Sequence, residues 1–473
     1  MQAEQNRQSL VVLGAGPGGY TAAFLAADMG MQVTLIGEDV NPGGVCLYRG
    51  CIPSKALLHA VQVMRDAEEA AAIGVRFEKP TVDLDQLRAW KDSVVSKLTE
   101  GLGGLNKRRQ IDYIQGHARF TSSNTLLIEK KDGSSDEISF DHCILATGSS
   151  PARLPNAPES SHIWDSTDAL ALESVPKSLL VVGGGYIGLE LGSVYAQLGS
   201  DVSVVEMLPG LMPGADRDLV QIFQRRSGSL FKNIYLESRL TSIREVEGGL
   251  SVGIQTKSGE TLETVFDKVL VSIGRKPNTA NLGLENTQVA LDDKGFVQVN
   301  GQLETTDPSI YAIGDVVGGP LLAHKASREG RVAVEAIAGH PVSFNPKAIP
   351  GVVYTDPEIA FTGLTETEAK AEGISVQVLK FPWAASGRAL TMDNINGMTK
   401  LIVDPETEQV LGMGIAGKGA GDMISEGSLA IETGATVRDL AETIHPHPTL
   451  SETIMETAEL FFGTCTHVYR PKR

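Results

Sequence analysis

The chain has 473 residues, of which 42% are hydrophobic and 21% are charged, as in a globular protein with a large core. Its formal net charge of −17 argues against binding to nucleic acid or to an anionic membrane, because both need clustered Lys and Arg. Four cysteines in so long a chain do not form the disulfide framework of a secreted domain. We therefore expect a reducing compartment such as the cytoplasm, where a cysteine pair is more often catalytic or metal-binding than structural.

Two apolar stretches have to be distinguished from targeting and membrane-spanning segments. The N-terminal stretch carries Arg7, as a signal peptide would, but it also carries Glu4 and runs into a glycine-rich turn instead of a cleavage site. The apolar segment 178–196 is rich in glycine and contains Glu190. The sequence therefore predicts neither a signal peptide nor a membrane span.

Residues 10–38 contain the first of two similar units, predicted as a strand, a glycine-rich turn, a helix and a second parallel strand. The turn has the spacing G-x-G-x-x-G, at Gly14, Gly16 and Gly19. Because glycine has no Cβ, the backbone N–H groups of such a turn can approach a pyrophosphate at the helix N-terminus. A ribose-binding carboxylate is expected where the second strand ends, but that position is Gly37, with Glu38 next to it. Either the strand bulges so that Glu38 reaches the ribose, or a backbone contact replaces the carboxylate.

The segment GGVCLYRGCIPSK, residues 43–55, places Cys46 and Cys51 five positions apart. Three interpretations compete for this pair. A zinc site needs about four ligands, and only His59 lies nearby as a further candidate. A passive structural disulfide would close a loop too short to restrain much chain entropy.

A redox-active disulfide is the third interpretation, and the expected geometry favours it. On a regular helix the two Cα atoms would lie roughly 8–9 Å apart, whereas a disulfide needs them within about 7 Å. Closing the disulfide must distort the helix start, where glycines such as Gly50 supply backbone freedom, and strained disulfides are easier to reduce. We predict a redox pair and no metal site, and we expect Cys143 and Cys465 to be buried, inert thiols.

Residues 179–206 repeat the order of strand, glycine-rich turn, helix and strand. The glycines of this second turn are Gly183, Gly185 and Gly188. Two complete units are far more specific for dinucleotide binding than one glycine pattern alone. Glu206 follows Gly183 by 23 residues, where a carboxylate accepts a hydrogen bond from a ribose 2′-OH and repels a 2′-phosphate. The second unit should therefore prefer NAD to NADP.

Further segments surround the second unit. Residues 140–151 predict a strand that ends at Thr147-Gly148, and residues 266–279 repeat that design with Gly274. Residues 307–339 predict a strand, a Gly-Asp turn at Asp315 and a helix. From about residue 347 the glycine patterns stop. The sequence thus predicts four parts, in which the first unit is resumed after an inserted second unit.

These units, together with the motifs CLYRGCIPSK, LLAHKA and HPHPTLSE, resemble the pyridine nucleotide-disulfide oxidoreductase family over nearly the full length, and within it the dihydrolipoamide dehydrogenases. The resemblance implies a flavoprotein homodimer with an α/β fold, in which two Rossmann-like domains for FAD and NAD precede a C-terminal α+β dimerisation domain. The implied domains are an FAD-binding domain 1–150, an NAD-binding domain 151–275, a central domain 276–346 that completes the FAD site, and an interface domain 347–473.

The resemblance also implies which residues line the two cofactors. Those along FAD are Gly14, Gly16, Gly19, Glu38, Gly44, Lys55, Gly116, Thr147, Gly148, Asp315, Leu322 and His324. Those along NAD are Gly183, Gly185, Gly188, Glu190, Glu206 and Gly274. By the same resemblance Cys46 faces the dithiol substrate as the interchange thiol, and Cys51 lies against the flavin.

Thiol–disulfide exchange also needs a base, and histidine is the side chain that titrates near neutral pH. His447 is followed five residues later by Glu452, which matches a His-Glu pair of the family. A carboxylate on one imidazole nitrogen fixes the tautomer and stabilises the imidazolium. We expect a helix to start at Pro448-Thr449 with Glu452 in its first turn, and His445 to be an ordinary structural histidine.

The implied activity is oxidation of protein-bound dihydrolipoamide with reduction of NAD⁺, the electrons passing through the Cys46–Cys51 disulfide and FAD. The implied partners are lipoyl domains of 2-oxoacid dehydrogenase complexes or of the glycine cleavage system. Two alternatives stay open: another NAD(P)H-dependent disulfide reductase of the same family, and a complex-docking protein that kept the fold without turnover. Tyr48 and Pro446 depart from the family's usual motifs and leave room for an unusual disulfide substrate.

Overall fold

The structure is a computed structural model that describes residues 8–469. Glu4 and Arg7, on which the signal-peptide argument depends, lie outside the described residues, as do the outer ends of the first and last predicted domains. Within the described part of the chain, no helix has both the length and the apolar character needed to cross a membrane.

The first third of the chain forms most of one large sheet and the helices around it. Its elements are β1 (Ser9–Leu13), α1 (Pro17–Asp28), β2 (Gln32–Gly37), α2 (Gly44–Arg49), α3 (Cys51–Glu69), α4 (Leu84–Arg108), β3 (Asp112–Ser122), β4 (Thr125–Lys130), β5 (Ser135–Ser139), β6 (His142–Leu145), β7 (Ser149–Pro151), β8 (Ile163–Trp164) and α5 (Ser166–Ala171). Four of the five residues of β1 are buried, as expected of a parallel strand that is covered on both faces.

The middle third forms a second parallel sheet and a smaller antiparallel one. Its elements are β9 (Ser178–Val182), α6 (Tyr186–Gln197), β10 (Asp201–Val205), α7 (Arg217–Ser227), β11 (Asn233–Tyr235), β12 (Arg239–Val246), β13 (Gly249–Gln255), β14 (Thr261–Phe266), β15 (Lys268–Val271), β16 (Arg275–Pro277), β17 (Ile310–Ala312) and α8 (Ala323–Ile337). The second parallel sheet has the order β11-β10-β9-β15-β8, and β12, β13 and β14 form the antiparallel sheet.

Strand β17 returns to the first sheet, whose order is β17-β6-β1-β2-β3-β4-β5. The chain therefore leaves the first sheet after β6, builds the second sheet and then comes back, as the repeat pattern predicts. The outgoing and returning segments pair with each other as β7 and β16, with Pro151 opposite Arg275. The proposed boundaries at 150/151 and 275/276 both fall in this ladder, and the four-part division itself stays a prediction.

The last third is an antiparallel sheet covered by helices. Its elements are β18 (Gly351–Val353), β19 (Ile359–Gly363), α9 (Glu366–Glu372), β20 (Gln377–Pro382), α10 (Gly387–Thr391), β21 (Met398–Val403), β22 (Val410–Ala416), α11 (Ala420–Thr433), α12 (Val437–Glu442) and α13 (Glu452–Phe462). The strand order is β18-β19-β22-β21-β20. The first sheet is parallel from β17 to β3 and continues with the antiparallel strands β4 and β5, and the second sheet is parallel. Two sheets of this dinucleotide-binding type followed by an α+β part confirm the predicted fold class.

Helix α3 joins these parts through a shared hydrophobic core. Leu57 and Val61 of this helix are fully buried in the cluster that also holds Val181 of the second sheet and Ile359 of the last one. The residues that follow the two cysteines are therefore held by three parts of the molecule at once. This anchoring fixes the start of α3, where the candidate active site lies.

Candidate active site

The two glycine-rich turns have the same construction. Gly14 has φ +111° and Gly183 has φ +108°, in the left-handed region that favours glycine. A Cβ on Gly14 would lie 2.1 Å from the carbonyl oxygen of Ala146, and a Cβ on Gly183 would lie 2.4 Å from that of Ser272. In each turn the first glycine thus lets the chain turn sharply against the neighbouring strand.

The second and third glycines of the turns differ in what surrounds them. Gly16 and Gly185 are the N-caps of α1 and α6, and a Cβ on either would meet no protein atom within 4 Å. A Cβ on Gly19 or Gly188 would lie 1.8 Å or 2.4 Å from the oxygen of the first glycine of the same turn. The third glycine therefore allows close packing of helix and strand, whereas the second leaves the helix N-terminus open to a pyrophosphate.

The carboxylate of the second unit is positioned by its own backbone neighbours. Glu206 follows β10 directly and is 8% exposed. Its Oε2 accepts a hydrogen bond of 2.6 Å from the N–H of Gly184, and its Oε1 accepts one of 2.7 Å from the N–H of Leu208. The side chain is thereby held against the glycine turn, where the ribose of a dinucleotide is expected.

In the first unit a glycine replaces that carboxylate, and packing explains why. Leu13 pairs with Ile36 as Val182 pairs with Val205, so Gly37 is the structural counterpart of Glu206. A Cβ on Gly37 would lie 2.7 Å from the Cβ of Ala15 and 2.7 Å from the hydroxyl of Tyr113. A larger side chain therefore has no room at this position.

The sequence allowed a bulge at the end of β2 that would bring Glu38 to the ribose, and the structure has no such bulge up to Gly37. Strand β2 pairs with β3 without a register shift up to Gly37 and Gln115. Glu38 is the next residue, with a side chain that is 63% exposed and an Oε1 that lies 3.4 Å from Nδ1 of His117. Its contact with FAD stays a prediction.

The remaining residues predicted along FAD come from several segments. Thr147 donates a hydrogen bond of 2.8 Å from Oγ1 to the oxygen of Asn278, close to Gly148. Asp315 accepts one of 2.5 Å at Oδ2 from the hydroxyl of Ser149. Both contacts lie beside the β7–β16 ladder, near Gly274, where the chain crosses between the two sheets. They bring parts of the two predicted cofactor sites to one junction.

Three further predicted residues lie in other elements. Gly116 of β3 would place a Cβ 2.5 Å from the oxygen of Glu129, so its sheet partner alone demands glycine there. Leu322 is the N-cap of α8, and His324 stands in the first turn of that helix with Nε2 2.9 Å from the oxygen of Pro350. None of these contacts tests a role in cofactor binding.

The two cysteines flank a break between helices. Cys46 lies in α2 and Cys51 is the first residue of α3, and Gly50 between them has φ −145° and ψ −116°. The helical path is interrupted where the sequence predicts distortion. Both sulfurs are present as free thiols. A Cβ on Gly44, the first residue of α2, would lie 2.5 Å from the Cα of Gly16. The segment 43–55 that carries the two cysteines, called the redox segment below, therefore starts directly against the first glycine turn.

The pKa values of the two thiols are shifted in opposite directions. The hydrogen bond from Cys46 lowers the pKa of Cys51 to about 7, and the Lys55 ammonium acts in the same direction. The same hydrogen bond, together with burial, raises the pKa of Cys46 far above that of an ordinary thiol. Cys51 is therefore the thiol of the reduced pair that ionises first, near neutral pH, and its place at a helix N-terminus adds to this preference.

Lys55 and Glu190, assigned above to different cofactors, form one ion pair. Nζ of Lys55 lies 2.7 Å from Oε2 of Glu190, which also accepts a hydrogen bond of 3.1 Å from Ser54. Oε1 of Glu190 accepts one of 3.0 Å from the N–H of Tyr354, and the side chain is 3% exposed. The pair connects α3, α6 and the last third of the chain. Tyr354, whose ring centre is 4.6 Å from Nζ of Lys55, was missed by sequence reasoning because no motif marks it.

Tyr48 and Arg49, which lie between the two cysteines, form hydrogen bonds with the loop that follows β2. The two terminal nitrogens of Arg49 each donate a hydrogen bond of 3.0 Å to the carboxylate of Asp39. The hydroxyl of Tyr48 lies 3.2 Å from the backbone of Asn41. Asp39 and Asn41 were missed by sequence reasoning, because polar residues after a strand are common in any loop.

His447 and Glu452 form the expected pair. Nδ1 of the imidazole lies 2.8 Å from Oε1 of Glu452, whose Oε2 accepts a hydrogen bond of 2.7 Å from the N–H of Thr449. Although burial raises it, the pKa of Glu452 is lowered overall by the Thr449 N–H and the His447 imidazole, so the carboxylate is ionised at neutral pH. The imidazole side chain is 76% exposed. Among residues 8–469 no hydrogen bond joins it to Cys46 or Cys51.

Two predictions about the C-terminal part need correction. Helix α13 begins at Glu452 and not at Pro448-Thr449, and the Glu452 carboxylate accepts a hydrogen bond from the N–H of Thr449 in the turn before the helix. Cys143 is fully buried as expected, but Cys465 is only partly buried. The prediction for His445 agrees with its surroundings: its side chain is 5% exposed and Nε2 lies 2.8 Å from Oε1 of Glu426.

Residues 8–330 match the pyridine nucleotide-disulphide oxidoreductase family, and residues 349–458 match the dimerisation domain of that family. The chain belongs to this family. Two oxidoreductases to which it is similar are named dihydrolipoyl dehydrogenase. The one from Haemophilus influenzae is 47% identical over 467 residues, which are 98% of this chain and 97% of the relative. The one from Geobacillus stearothermophilus is 45% identical over 458 residues, 97% of each chain.

Two solved structures have the same fold over nearly the whole chain. LpdA from Mycobacterium tuberculosis has a TM-score of 0.89 at 27% identity, over 96% of this chain and 99% of that chain. The HOCl-induced flavoprotein disulfide reductase RclA from Escherichia coli has a TM-score of 0.84 at 28% identity, also over 96% and 99%. Both likenesses extend over the whole oxidoreductase, including the dimerisation domain.

As a pyridine nucleotide-disulphide oxidoreductase, the protein uses FAD and NAD and forms a homodimer. The residues present fit two dinucleotides, because each glycine turn leaves the N-terminus of its helix open beside Gly16 or Gly185. When bound, FAD supplies a group that accepts two electrons from the dithiol side and delivers them as a hydride to the nicotinamide. The side chains of the chain itself provide the thiol chemistry and the acid–base group.

Proposed function

We propose that the protein is an NAD-dependent dihydrolipoyl dehydrogenase, which oxidises dihydrolipoamide to lipoamide and reduces NAD⁺. The observation that carries the proposal is the position of Cys46 and Cys51 on either side of a break between two helices, directly against the first glycine turn. The relatives of that name extend over nearly the whole chain and support the same activity. The residues assigned above to FAD and NAD keep their roles in this proposal, as does the four-part domain division.

The acidities of the two thiols indicate which sulfur the substrate attacks. In thiol–disulfide exchange the sulfur with the lower pKa is the better leaving group. Since the pKa of Cys51 is lowered to about 7, a substrate thiolate attacks Sγ of Cys46, and the disulfide breaks with Cys51 leaving as thiolate. The second substrate sulfur then attacks the first one in the mixed disulfide. Lipoamide is released and Cys46, whose pKa is raised, takes a proton.

His447 acts as the base for the first substrate thiol. Its Nδ1 is engaged by the Glu452 carboxylate, so Nε2 is the nitrogen that accepts the proton. The products of the half-reaction are lipoamide, the Cys46 thiol, the Cys51 thiolate and a His447 imidazolium, which balances both substrate protons. As the resemblance to the family implies, His447 of the partner subunit serves each redox pair in this proposal, and an exposed imidazole without a hydrogen bond to Cys46 or Cys51 among residues 8–469 agrees with that role.

The substrate reaches the enzyme on a second protein. We infer that lipoyl domains of 2-oxoacid dehydrogenase complexes or of the glycine cleavage system present the dithiol. A cytoplasmic location agrees with a chain that contains only four cysteines and works by reduction of a disulfide. The formal net charge of −17 argues against a nucleic-acid partner and agrees with a partner that is a protein.

An anaerobic titration with dihydrolipoamide tests the proposal. The expected result is loss of the oxidised flavin spectrum together with new long-wavelength absorbance, followed by NADH formation when NAD⁺ is added. A matched titration with reduced glutathione should give much slower reduction. A flavin that stays oxidised with dihydrolipoamide but is reduced by NADPH would instead identify a different disulfide reductase. Absence of reduction by either compound would identify a protein without turnover.

A further inference from the structure

A second group of reactive side chains lies at the end of helix α13, apart from the redox pair. Glu456 and Glu459 stand one turn apart on the helix, and the chain after it brings Cys465 and His467 back to them. We call these four residues the C-terminal cluster. Sγ of Cys465 lies 3.3 Å from Oε2 of Glu456, and Nδ1 of His467 lies 2.5 Å from its Oε1. One ligand atom each of Glu456, Glu459 and Cys465 lie within 4.8 Å of one another.

Among residues 8–469, the only basic side chain that pairs with the cluster is its own His467, which lies against Glu456. Glu456 is 6% exposed, and Oε2 of Glu459 is fully buried with no hydrogen-bond partner among residues 8–469. In the same part of the chain, no Lys or Arg forms a salt bridge with any member of the cluster. A buried carboxylate oxygen without a partner is costly, so a cation at this place would stabilise the structure.

A second acidic group in the molecule shows the contrasting arrangement. Asp216, Asp218 and Glu366 also lie close enough together to hold an ion. There the Nζ of Lys400 lies 2.8 Å from Asp216 and 2.6 Å from Glu366, and the lysine is 1% exposed. The ammonium already supplies the positive charge at that group. The C-terminal cluster has a thiol and an imidazole where the other group has a lysine.

We propose that the C-terminal cluster binds one divalent transition-metal ion of the Zn²⁺ type. Its ligands are the Cys465 sulfur, the His467 imidazole and the carboxylates of Glu456 and Glu459. Sulfur, nitrogen and carboxylate oxygen are the ligands that Zn²⁺ takes in tetrahedral sites, and four are the usual number. Harder ions such as Mg²⁺ and Ca²⁺ prefer sites made of oxygen alone.

One of the present distances already agrees with such a site, whereas the His467 imidazole would have to move, because it does not belong to the group of ligand atoms that lie within 4.8 Å of one another. Two ligands with bond lengths of about 2.3 Å for sulfur and about 2.0 Å for oxygen lie roughly 3.5 Å apart around a tetrahedral ion. The sulfur–oxygen distance of 3.3 Å already agrees with this value. The hydrogen bond between His467 and Glu456 would open, and the Cys465 thiol would release its proton to the buffer. The His467 side chain is 56% exposed and leaves a path for the ion.

The test uses the FAD-loaded dimer with its Cys46–Cys51 pair oxidised, so that the pair offers no thiol to the metal. Cys143 is 0% exposed, which leaves Cys465 as the accessible thiol. Calorimetric titration with Zn²⁺ should show one ion per chain and release of a proton. Titration with Co²⁺ should give ligand-field absorbance at wavelengths beyond the flavin bands, as expected for a tetrahedral thiolate site.

Substitutions locate the ion. Cys465→Ala and His467→Gln should each weaken Zn²⁺ binding at least tenfold, and Cys465→Ala should also abolish the thiolate absorbance of Co²⁺. Glu366→Gln, in the lysine-filled acidic group, is the matched control and should leave binding unchanged. Flavin content and thermal unfolding verify that each variant is folded. The proposal is overturned if the wild-type protein binds no Zn²⁺, or if Cys465→Ala and His467→Gln bind it as tightly as wild type.

Discussion

At the scale of single residues, the two cysteines differ in their surroundings, and this difference decides which sulfur carries the charge. The hydrogen bond with Cys46 and the ammonium of Lys55 both lower the pKa of Cys51. Lys55 is itself held by Glu190, which is nearly inaccessible to solvent. The acidity of the thiolate therefore depends on an ion pair that connects different parts of the chain.

This dependence predicts the pH profile of the reduced protein. A thiolate beside oxidised flavin produces long-wavelength absorbance, so we expect this absorbance to rise as the pH increases through about 7, the pKa of Cys51. Lys55→Met should move the midpoint upward, since it removes the cation and leaves Glu190 unpaired. Lys418→Met, at an exposed salt bridge with Asp66, is the control and should not move it. A midpoint that stays in place in Lys55→Met would contradict the role given to the ammonium.

The same argument separates the two cysteines by mutation. Cys46→Ser leaves Cys51 as a free thiolate donor, so the resting protein should show long-wavelength absorbance without any reductant. Cys51→Ser removes the thiol of low pKa and should show none. Absorbance spectra of the two purified variants at neutral pH test this. The opposite pair of spectra would reverse the roles.

Glu206 predicts the choice of nucleotide. Both of its oxygens are held by backbone N–H groups at the second glycine turn, where a 2′-phosphate would meet a fixed negative charge. We expect kcat/KM to favour NAD⁺ over NADP⁺ at least tenfold, which is about 1.4 kcal/mol of transition-state stabilisation. Steady-state rates with both nucleotides decide the matter, and equal values would refute the assignment.

At the scale of elements, helix α3 carries Cys51 at its start, and its buried residues all lie in its first eleven positions, up to Val61. Val61 is fully buried, whereas Val63 on the same helix is 55% exposed. The redox segment before the helix is held by the contacts of Arg49 and Tyr48 with the loop after β2. The position of Cys51 therefore depends on packing as much as on local hydrogen bonds.

The two valines provide a matched pair for testing this anchoring. Val61→Ala removes buried methyl groups and leaves a cavity, so it should lower the free energy of unfolding by about 2 kcal/mol. Val63→Ala makes the same chemical change at an exposed position and should change it by less than about 0.5 kcal/mol. Denaturant unfolding of the flavin-loaded protein measures both. Equal effects would show that the two positions are not packed differently.

At the scale of the whole molecule, the exposed His447–Glu452 pair belongs to the dimerisation domain and the cysteines belong to the first third of the chain. If His447 serves the opposite redox pair, as proposed above, a twofold dimer contains two equivalent sites, each built from both chains. Each chain carries all four reactive groups, but a complete site would then form only in the dimer.

Co-expression of two inactive variants tests the shared site. Cys51→Ser and His447→Gln should each be nearly inactive as homodimers. In a mixed dimer one site carries both changes and the other is intact, so random pairing should restore about a quarter of wild-type activity. Purified homodimers mixed without subunit exchange are the control and should regain nothing. Inactive mixed dimers with normal flavin content would show that His447 does not serve the opposite redox pair.

Several features of this protein could be predicted from the sequence, most of them because they depend on residues that are close together in the chain. The glycine turns, the cysteine pair and the pairing of His447 with Glu452 all lie within short segments whose backbone geometry dictates their contacts. The return of the chain to the first sheet at β17 also follows from the repeat of similar segments. For such features, spacing along the chain carries nearly all the information.

Other features were decided only by the tertiary structure. Gly37 replaces a carboxylate because Tyr113 and Ala15 fill the space beside it. Lys55 of α3 forms an ion pair with Glu190 of α6, which is 135 residues away in the chain. The C-terminal cluster forms because the chain folds back along α13 and brings Cys465 to Glu456. Contacts of this kind depend on how separate elements pack. Packing is set by the summed burial of many side chains, which no single segment of the sequence reveals.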